Sequence, residues 1–459
     1  MTLRRLAVLA LLVLGTDRVD AQRRVVPEPR SRPRRARVVS PPPPVVRTVA
    51  PPAADGSNAA AAATPIAPQA LTVTLVTFGS GPAVWERFGH NALWIHDGDA
   101  GTDIAYNWGL FDFEQPGFFQ RFLTGDTKYW MAGEDAFAMI SAYQNAGRTV
   151  TLQTLNLTPE QARTLNDLVL RNAREENKYY RYDYYRDNCS TRLRDAVDRA
   201  LGGALRRATD TVRTTLTYRG ESVRLTEGDI PIQAGIDIAL GRPADAPLSS
   251  WESFFIPMRL RDAARVVRIP RENGEMVPLV ASERRIEPSE SAGRVVEART
   301  PPDHARRNLT VGALLAAIVV MLGMLIRAHR WAAWMVALLG AGWSLLCGTL
   351  GVVLLLAWVA TKHAFWAQNE NLLVLSPIAL SLVVLLPAAV LAGRSVRRAR
   401  IIGAAMVLMG LGALALALTP GGAVLRPVVA LFLPMNVALA WVLWRAIPRR
   451  IATSSVRTG

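Results

Sequence analysis

Leu309-Thr310-Val311-Gly312-Ala313-Leu314-Leu315-Ala316-Ala317-Ile318-Val319-Val320-Met321-Leu322-Gly323-Met324-Leu325-Ile326 holds no charged side chain. As a helix it reaches roughly 27 Å, the depth of a bilayer's hydrocarbon core. Four more apolar segments follow, at 331–360, 372–391, 401–418 and 424–444, and Glu370 is the sole acidic residue from 309 to 446. Arg327, His329 and Arg330 follow the first segment, Arg394, Arg397, Arg398 and Arg400 the third, and Arg445, Arg449 and Arg450 the fifth. The intervening loops, 361–371 and 419–423, carry one lysine and no arginine. Cationic loops stay in the cytoplasm, so this alternation predicts five spans with everything before residue 309 outside.

The chain carries 53 Lys and Arg against 37 Asp and Glu, a formal +16, although half its residues are hydrophobic. The two properties are segregated along the chain, which excludes a single soluble domain. Much of the excess charge is arginine in a tail and in interspan loops, a pattern of membrane topology rather than of nucleic-acid binding. With only Cys189 and Cys347, a disulfide framework is excluded.

Residues 1–21 read as a secretory signal: Arg4 and Arg5 precede an apolar stretch at 6–14, and Val19-Asp20-Ala21 supplies a cleavage site. Residues 22–70, with eight arginines, two acids and the run from Pro41 to Pro44, cannot bury a core and read as a linker. Residues 71–270 form the exported soluble domain. Residues 271–308 read as a membrane-proximal linker, 309–446 as the membrane domain and 447–459 as a cytoplasmic tail.

Within the soluble domain, residues 71–78 alternate as a strand does. Residues 92–95 and 104–111 read as a hairpin turning at Asp97-Gly98-Asp99-Ala100-Gly101. Thr158-Pro159-Glu160-Gln161 opens a helix with Leu165, Leu168 and Val169 as its apolar stripe. A second helix starts near Cys189, carries Leu193, Val197, Ala200 and Leu201, and stops at Gly202-Gly203. Strands and helices in this order make an α+β domain, followed by an all-α membrane domain of five transmembrane helices.

Cys189 is the one thiol of the exported domain, in Tyr184-Tyr185-Arg186-Asp187-Asn188-Cys189-Ser190-Thr191-Arg192. It is either a small buried residue or a nucleophile, and the polar helix start favours the second. A helix N-terminus with Arg186 and Arg192 nearby predicts a lowered thiol pKa. The base comes from His90 or His96. His90 is preferred because Gly89 permits close approach, while His96 beside Asp97 reads as a surface residue. On one strand the two lie about 20 Å apart, so they do not share a metal, and no zinc site or other cofactor is called for. A hairpin register placing His90 opposite about Trp108 makes Asn107 the nearest polar group to orient the imidazole, with Asp112 next. In the outer loop, His363, Asn369 and Asn371 read either as ordinary loop polarity or as a substrate-binding patch facing the soluble site.

The order His, polar strand residue, Asn-Cys at a helix start resembles the circularly permuted NlpC-type (papain-like) thiol hydrolases and acyltransferases. More closely, Phe88-Gly89-His90, Tyr106-Asn107-Trp108-Gly109-Leu110-Phe111-Asp112-Phe113, Tyr180-Arg181-Tyr182-Asp183 and Asp187-Asn188-Cys189-Ser190-Thr191 resemble the periplasmic domain of Lnb-type lipoprotein N-acyltransferases. Thr361-Lys362-His363 and Asn369-Glu370-Asn371-Leu372-Leu373 resemble that family's five-helix membrane domain. The resemblance covers about 71–444. It implies Cys189 as nucleophile and His90 as base, a phospholipid acyl donor, a diacylglyceryl lipoprotein acceptor, and a multi-pass protein of the bacterial inner membrane with its soluble domain in the periplasm. Two other readings stand beside it. One is a membrane-tethered NlpC-like cysteine amidase or peptidase acting on peptidoglycan, which leaves five spans where one would anchor. The other is a non-enzymatic membrane scaffold in which Cys189 is inert.

Overall fold

The computed structural model describes residues 71–288 and 300–447. The expected signal at 1–21, the linker at 22–70 and all but the first residue of the tail at 447–459 lie outside them. Strands β1 (Leu71–Phe78), β2 (His90–Asp97) and β3 (Thr102–Leu110) form an antiparallel meander. It is extended on one side by β4 (Lys128–Asp135) and β6 (Tyr179–Arg181) and on the other by β5 (Val150–Leu155). Two short strands, β7 (Arg268–Pro270) and β8 (Met276–Pro278), pair apart from the sheet. Strand β9 (Val280–Ile286) joins β5, so the seven-stranded sheet runs β6-β4-β3-β2-β1-β5-β9. The linker expected from residue 271 is therefore corrected: chain up to Ile286 belongs to the soluble domain, with Val280–Ile286 in the sheet. Val-Ala-Ser-Glu-Arg-Arg-Ile is an edge strand, and its exposed charges, which discourage edge-to-edge pairing, imitate a solvated linker.

Alternation along the strands sorts two cores. Val73, Leu75, Leu93, Ile95, Tyr106 and Trp108 face helices α3 (Pro159–Asn172), α4 (Cys189–Ala200) and α7 (Pro257–Val266). Val76, Phe78, Ala92 and Ala105 face α2 (Ala136–Asn145). Helix α1 (Phe118–Thr124) precedes β4. Helix α3 starts as its sequence dictates. Thr158 accepts from the Gln161 amide, Gln161 reaches back to the Thr158 amide, and Pro159 needs no donor there.

In the second half, α8 (Ala305–Leu325), α9 (Arg330–Ala360), α11 (Val396–Ala417) and the segment at 420–446 containing α12 (Arg426–Trp441) are long and apolar enough to cross a membrane. The third expected span, 372–391, is broken. A first piece ends at Leu373, and a second, Pro377–Ala392 with α10 (Leu382–Ala392) at its end, departs at 54°. Pro377 has no N–H to continue a helix. The break also packs against Gly351 of α9, where a Cβ would stand 2.3 Å from the Leu375 carbonyl oxygen. Among the described residues, four helices are long and apolar enough to cross a membrane, or five if the bent pair counts as one span.

The two halves are joined by the loop after α9. Phe365 is buried among Tyr185, Tyr218 and Phe255 of the soluble domain, with ring centroids 4.7 Å from Tyr185 and 4.9 Å from Tyr218. Gly241 donates to the Phe365 carbonyl at 2.7 Å, and a Cβ on Gly241 would collide with the Ala367 carbonyl. Between these elements lie α5 (Tyr218–Leu225) and α6 (Ile230–Ala239).

Buried Asp237 on α6 stands beside the ion pair of Arg219 with Asp245, and burial, partly offset by Arg219, pushes its carboxyl up to about 6. The folded protein therefore holds a proton there between about pH 4 and 6 that the unfolded chain has released, and stability falls as pH rises through that window. Asp237→Asn is expected to stabilise the protein by about 2–3 kcal/mol at pH 7 and by little at pH 4. Thermal unfolding in detergent at the two pH values checks this, and an equal shift at both would contradict it.

Candidate active site

Helix α4 begins at Cys189 because Asn188 caps it. The Asn188 side-chain oxygen accepts from the Ser190 and Thr191 amides, each at 2.9 Å. Its Nδ2 donates to the Tyr184 and Phe255 carbonyls, which fixes the cap against the loops around it. Asn91 of β2 donates through Nδ2 to Ser190 Oγ at 3.0 Å, and Ser190 Oγ donates to the Phe254 carbonyl. The first helical turn is thereby bolted to the sheet.

The thiol differs from its expected state. Cys189 is 9% exposed, and burial pushes it up to about 11. The backbone N–H groups of Asn91, Ser190 and Cys189 itself, with the charge of Arg148, work the other way. Arg186 and Arg192 are engaged elsewhere. Arg192 pairs with Asp187 and lies 3.9 Å over the Tyr180 ring, and Arg186 lies over the Phe365 ring. The lowering expected from those two arginines is thus corrected: the cation in range is Arg148, and desolvation outweighs it.

His90 approaches from the other face of the sheet. Its ring lies parallel to those of Phe78 and Tyr143, each with its centroid 6.1 Å away. Burial, with Arg148 second, lowers the imidazole to about 4, while a side-chain hydrogen bond with Asn107 opposes this. Asn107 donates through Nδ2 to the Ala132 carbonyl at 3.4 Å, and its side chain also opposes the rise that burial gives the neighbouring Glu134 carboxyl. The polar row is His90–Asn107–Glu134. The register differs slightly from expectation. Ala92 pairs with Asn107, and running that pairing back brings His90 level with Gly109 rather than Trp108.

Gly109 marks where the two faces meet. The β2–β3 ladder ends at Ala92↔Asn107, the β3–β4 register slips between Trp108 and Leu110, and Gly109 has φ +92°. A Cβ at Gly109 would stand 3.5 Å from Cys189 Cβ and 3.7 Å from Tyr182 Cε2. Arg148 and Tyr143, on the His90 side of the sheet, are in electrostatic range of the sulfur.

Arg148 escaped the sequence reading. It is 4% exposed, donates through Nε to the Gly79 carbonyl at 2.7 Å, stacks on Tyr143 and sits 3.7 Å from Glu86. Its Nη2 is buried with no hydrogen-bond partner among the described residues. Gly147-Arg148-Thr149 carries no local signal of such a role. Gly109 does carry one, since a glycine inside a strand pattern marks a bulge or a close backbone approach. His96 is exposed and bonds Asp103 at 2.9 Å. Asp112, the second choice to orient the imidazole, accepts the Glu114 amide in an exposed turn.

The outer-loop residues serve a different purpose from the expected binding patch. Asn369 and Asn371 are buried and donate to the carbonyls of Asp237, Ile238 and Ala239 at the end of α6. His363 donates through Nε2 to the Phe122 carbonyl at 3.0 Å. All three tie the membrane half to the soluble domain. Sequence leaves ordinary loop polarity and a binding patch both open, because it does not reveal that a helix end arrives to meet the two amides. Among the described residues, no group of three or more His, Cys, Asp or Glu side chains is placed to hold a metal ion.

Residues 59–218 match the family model of the Lnb N-terminal periplasmic domain. No curated protein and no solved structure matches the chain.

Proposed function

Since the chain belongs to the Lnb family through its N-terminal periplasmic domain, we propose that it is a lipoprotein N-acyltransferase of the bacterial inner membrane, moving a fatty acyl chain from a phospholipid to the N-terminal amine of the lipidated cysteine through a thioester on Cys189. The observation that carries this reading is the start of α4. One thiol there meets three backbone N–H groups, with the His90–Asn107–Glu134 row on the other face of the sheet across Gly109. The domain is fastened to membrane-length helices, which serves a reaction whose substrates both reside in a bilayer.

At neutral pH the thiol and the imidazole are both uncharged, so the proton leaves sulfur as sulfur attacks. His90 takes that proton while the Cys189 sulfur bonds to the ester carbonyl carbon. The N–H groups of Asn91, Ser190 and Cys189 are the donors available to the oxyanion, and the Arg148 charge favours the same anionic state. Collapse breaks the ester C–O bond, His90 returns the proton to the departing alkoxide, and a lysophospholipid leaves. The lipoprotein amine then attacks the thioester. His90 accepts the amine proton, the C–S bond breaks, and the proton passes to the thiolate. Asn107 and Glu134 hold the imidazole for both halves.

The test uses the full chain in vesicles containing phospholipid with a radiolabelled acyl group. Hydroxylamine-sensitive label on Cys189, chased onto a diacylglyceryl lipoprotein when one is added, is the expected result. Release of soluble muropeptides without any lipid-derived label on Cys189 would instead favour the peptidoglycan amidase.

A further inference from the structure

Helix α1, Phe-Phe-Gln-Arg-Phe-Leu-Thr, turns Phe119, Phe122 and Leu123 outward at 49%, 51% and 62% exposure. Three large apolar side chains on two turns of a short helix form a patch that water does not favour. The location of the patch identifies its surroundings. His363, three residues beyond the outer end of α9, donates to the Phe122 carbonyl. The Lys362 amide donates to the Thr124 carbonyl at 2.8 Å, and Lys362 Nζ pairs with Asp126 at 2.9 Å. A Cβ on Gly125 would stand 3.0 Å from His363 N. Helix α1 is thus fixed at the level where a span leaves the bilayer.

From this patch a row of aromatic rings runs inward. Phe118 lies 5.5 Å from Phe119 and 6.2 Å from Phe122. Phe111 lies 6.1 Å from Phe118 and 5.0 Å from Tyr129. Tyr129 stacks on Tyr182 at 4.2 Å. Tyr182 and Cys189 converge at Gly109. The row begins at the bilayer surface and ends beside the thiol.

We propose that α1 dips into the outer leaflet, with Phe119, Phe122 and Leu123 among phospholipid acyl chains, and that the aromatic row from Phe118 to Tyr182 guides one such chain to Cys189. The second half rests on the acyl-transfer reading; the first does not. A protein partner for the patch is disfavoured because the span end beside it keeps it at lipid height.

The experiment places the photo-crosslinker benzoylphenylalanine at position 122 of the full chain, in vesicles of phosphatidylethanolamine and phosphatidylglycerol. A control carries it at position 100, in the β2–β3 turn, roughly 26 Å along β3 from Leu110. Phospholipid adducts at 122 and not at 100 are expected. Adducts at 122 to protein alone, none at all, or equal lipid adducts at both positions would overturn membrane contact. For the guide, Phe111→Ser with Phe118→Ser, which leaves the outward face of α1 intact, is expected to slow labelling of Cys189 from vesicle phospholipid about tenfold more than labelling from p-nitrophenyl butyrate. Equal slowing overturns the guide. Absence of label from either donor in the unaltered protein defeats the acyl-transfer reading and the guide together, while the crosslink still decides membrane contact.

Discussion

Cys189→Ala is expected to abolish lipoprotein N-acylation, with a loss on the order of 10⁴-fold or more, because the covalent intermediate forms on this sulfur and the neighbouring Ser190 hydroxyl is held between Asn91 Nδ2 and the Phe254 carbonyl. The fold is expected to survive. The change removes one sulfur from a position held by the Asn188 cap and by the bond from Asn91 to Ser190, neither of which involves the thiol. Mass spectrometry of lipoprotein N-termini, in a host with no other N-acyltransferase, reads the result alongside the melting temperature of the purified variant. Triacylated product persisting at the normal level would remove Cys189 from the reaction. A variant that loses activity only in proportion to lost folded protein would make the residue structural.

His90→Gln is expected to cost roughly 10²–10⁴-fold, the span attributed to a positioned proton-transfer group. The pH profile separates this role from a packing role. Burial and the Arg148 charge hold the imidazole at about 4. The base is therefore in its neutral, proton-accepting form at every pH above that, and kcat/KM for the phospholipid donor, whose half-reaction precedes any encounter with the amine, should stay level from pH 8 down to about 5 before falling. A histidine at its ordinary value would lose activity below about 6.5. Because the thiol is pushed up to about 11, no acidic limb from thiolate protonation intrudes in this range. An inflection near 6.5, or a Gln variant within tenfold of the parent, would dismiss His90 as the base.

Much of the scaffold was legible because its physics is local. The cap and proline of α3, the Asn188-Cys189 helix start, the Asp97 turn and the apolar segments each announce themselves over a few residues. Asp97 Oδ1 accepts the Asp99 and Ala100 amides, as turn chemistry there requires. What escaped was set by distant parts of the chain. Glu134, on β4, meets Asn107 only through sheet pairing, and Arg148 meets the site through the chain reversal after α2. The thiol pKa was misjudged for the same reason: nearby arginines are visible in sequence, whereas burial beneath a sheet and competition from Asp187 and Phe365 are tertiary. The exposed face of α1 gave no strong pattern, since seven residues are too few for a periodicity to stand out.

The Phe365 peg, seated among Tyr185, Tyr218 and Phe255, has a kinetic corollary. With its periplasmic domain clamped to the membrane-length helices, the acyltransferase we propose does not swing that domain out to fetch cargo, so both lipids must arrive by lateral diffusion. Turnover should then follow the mole fraction of each lipid within the bilayer, and diluting the vesicles at constant composition should leave it unchanged.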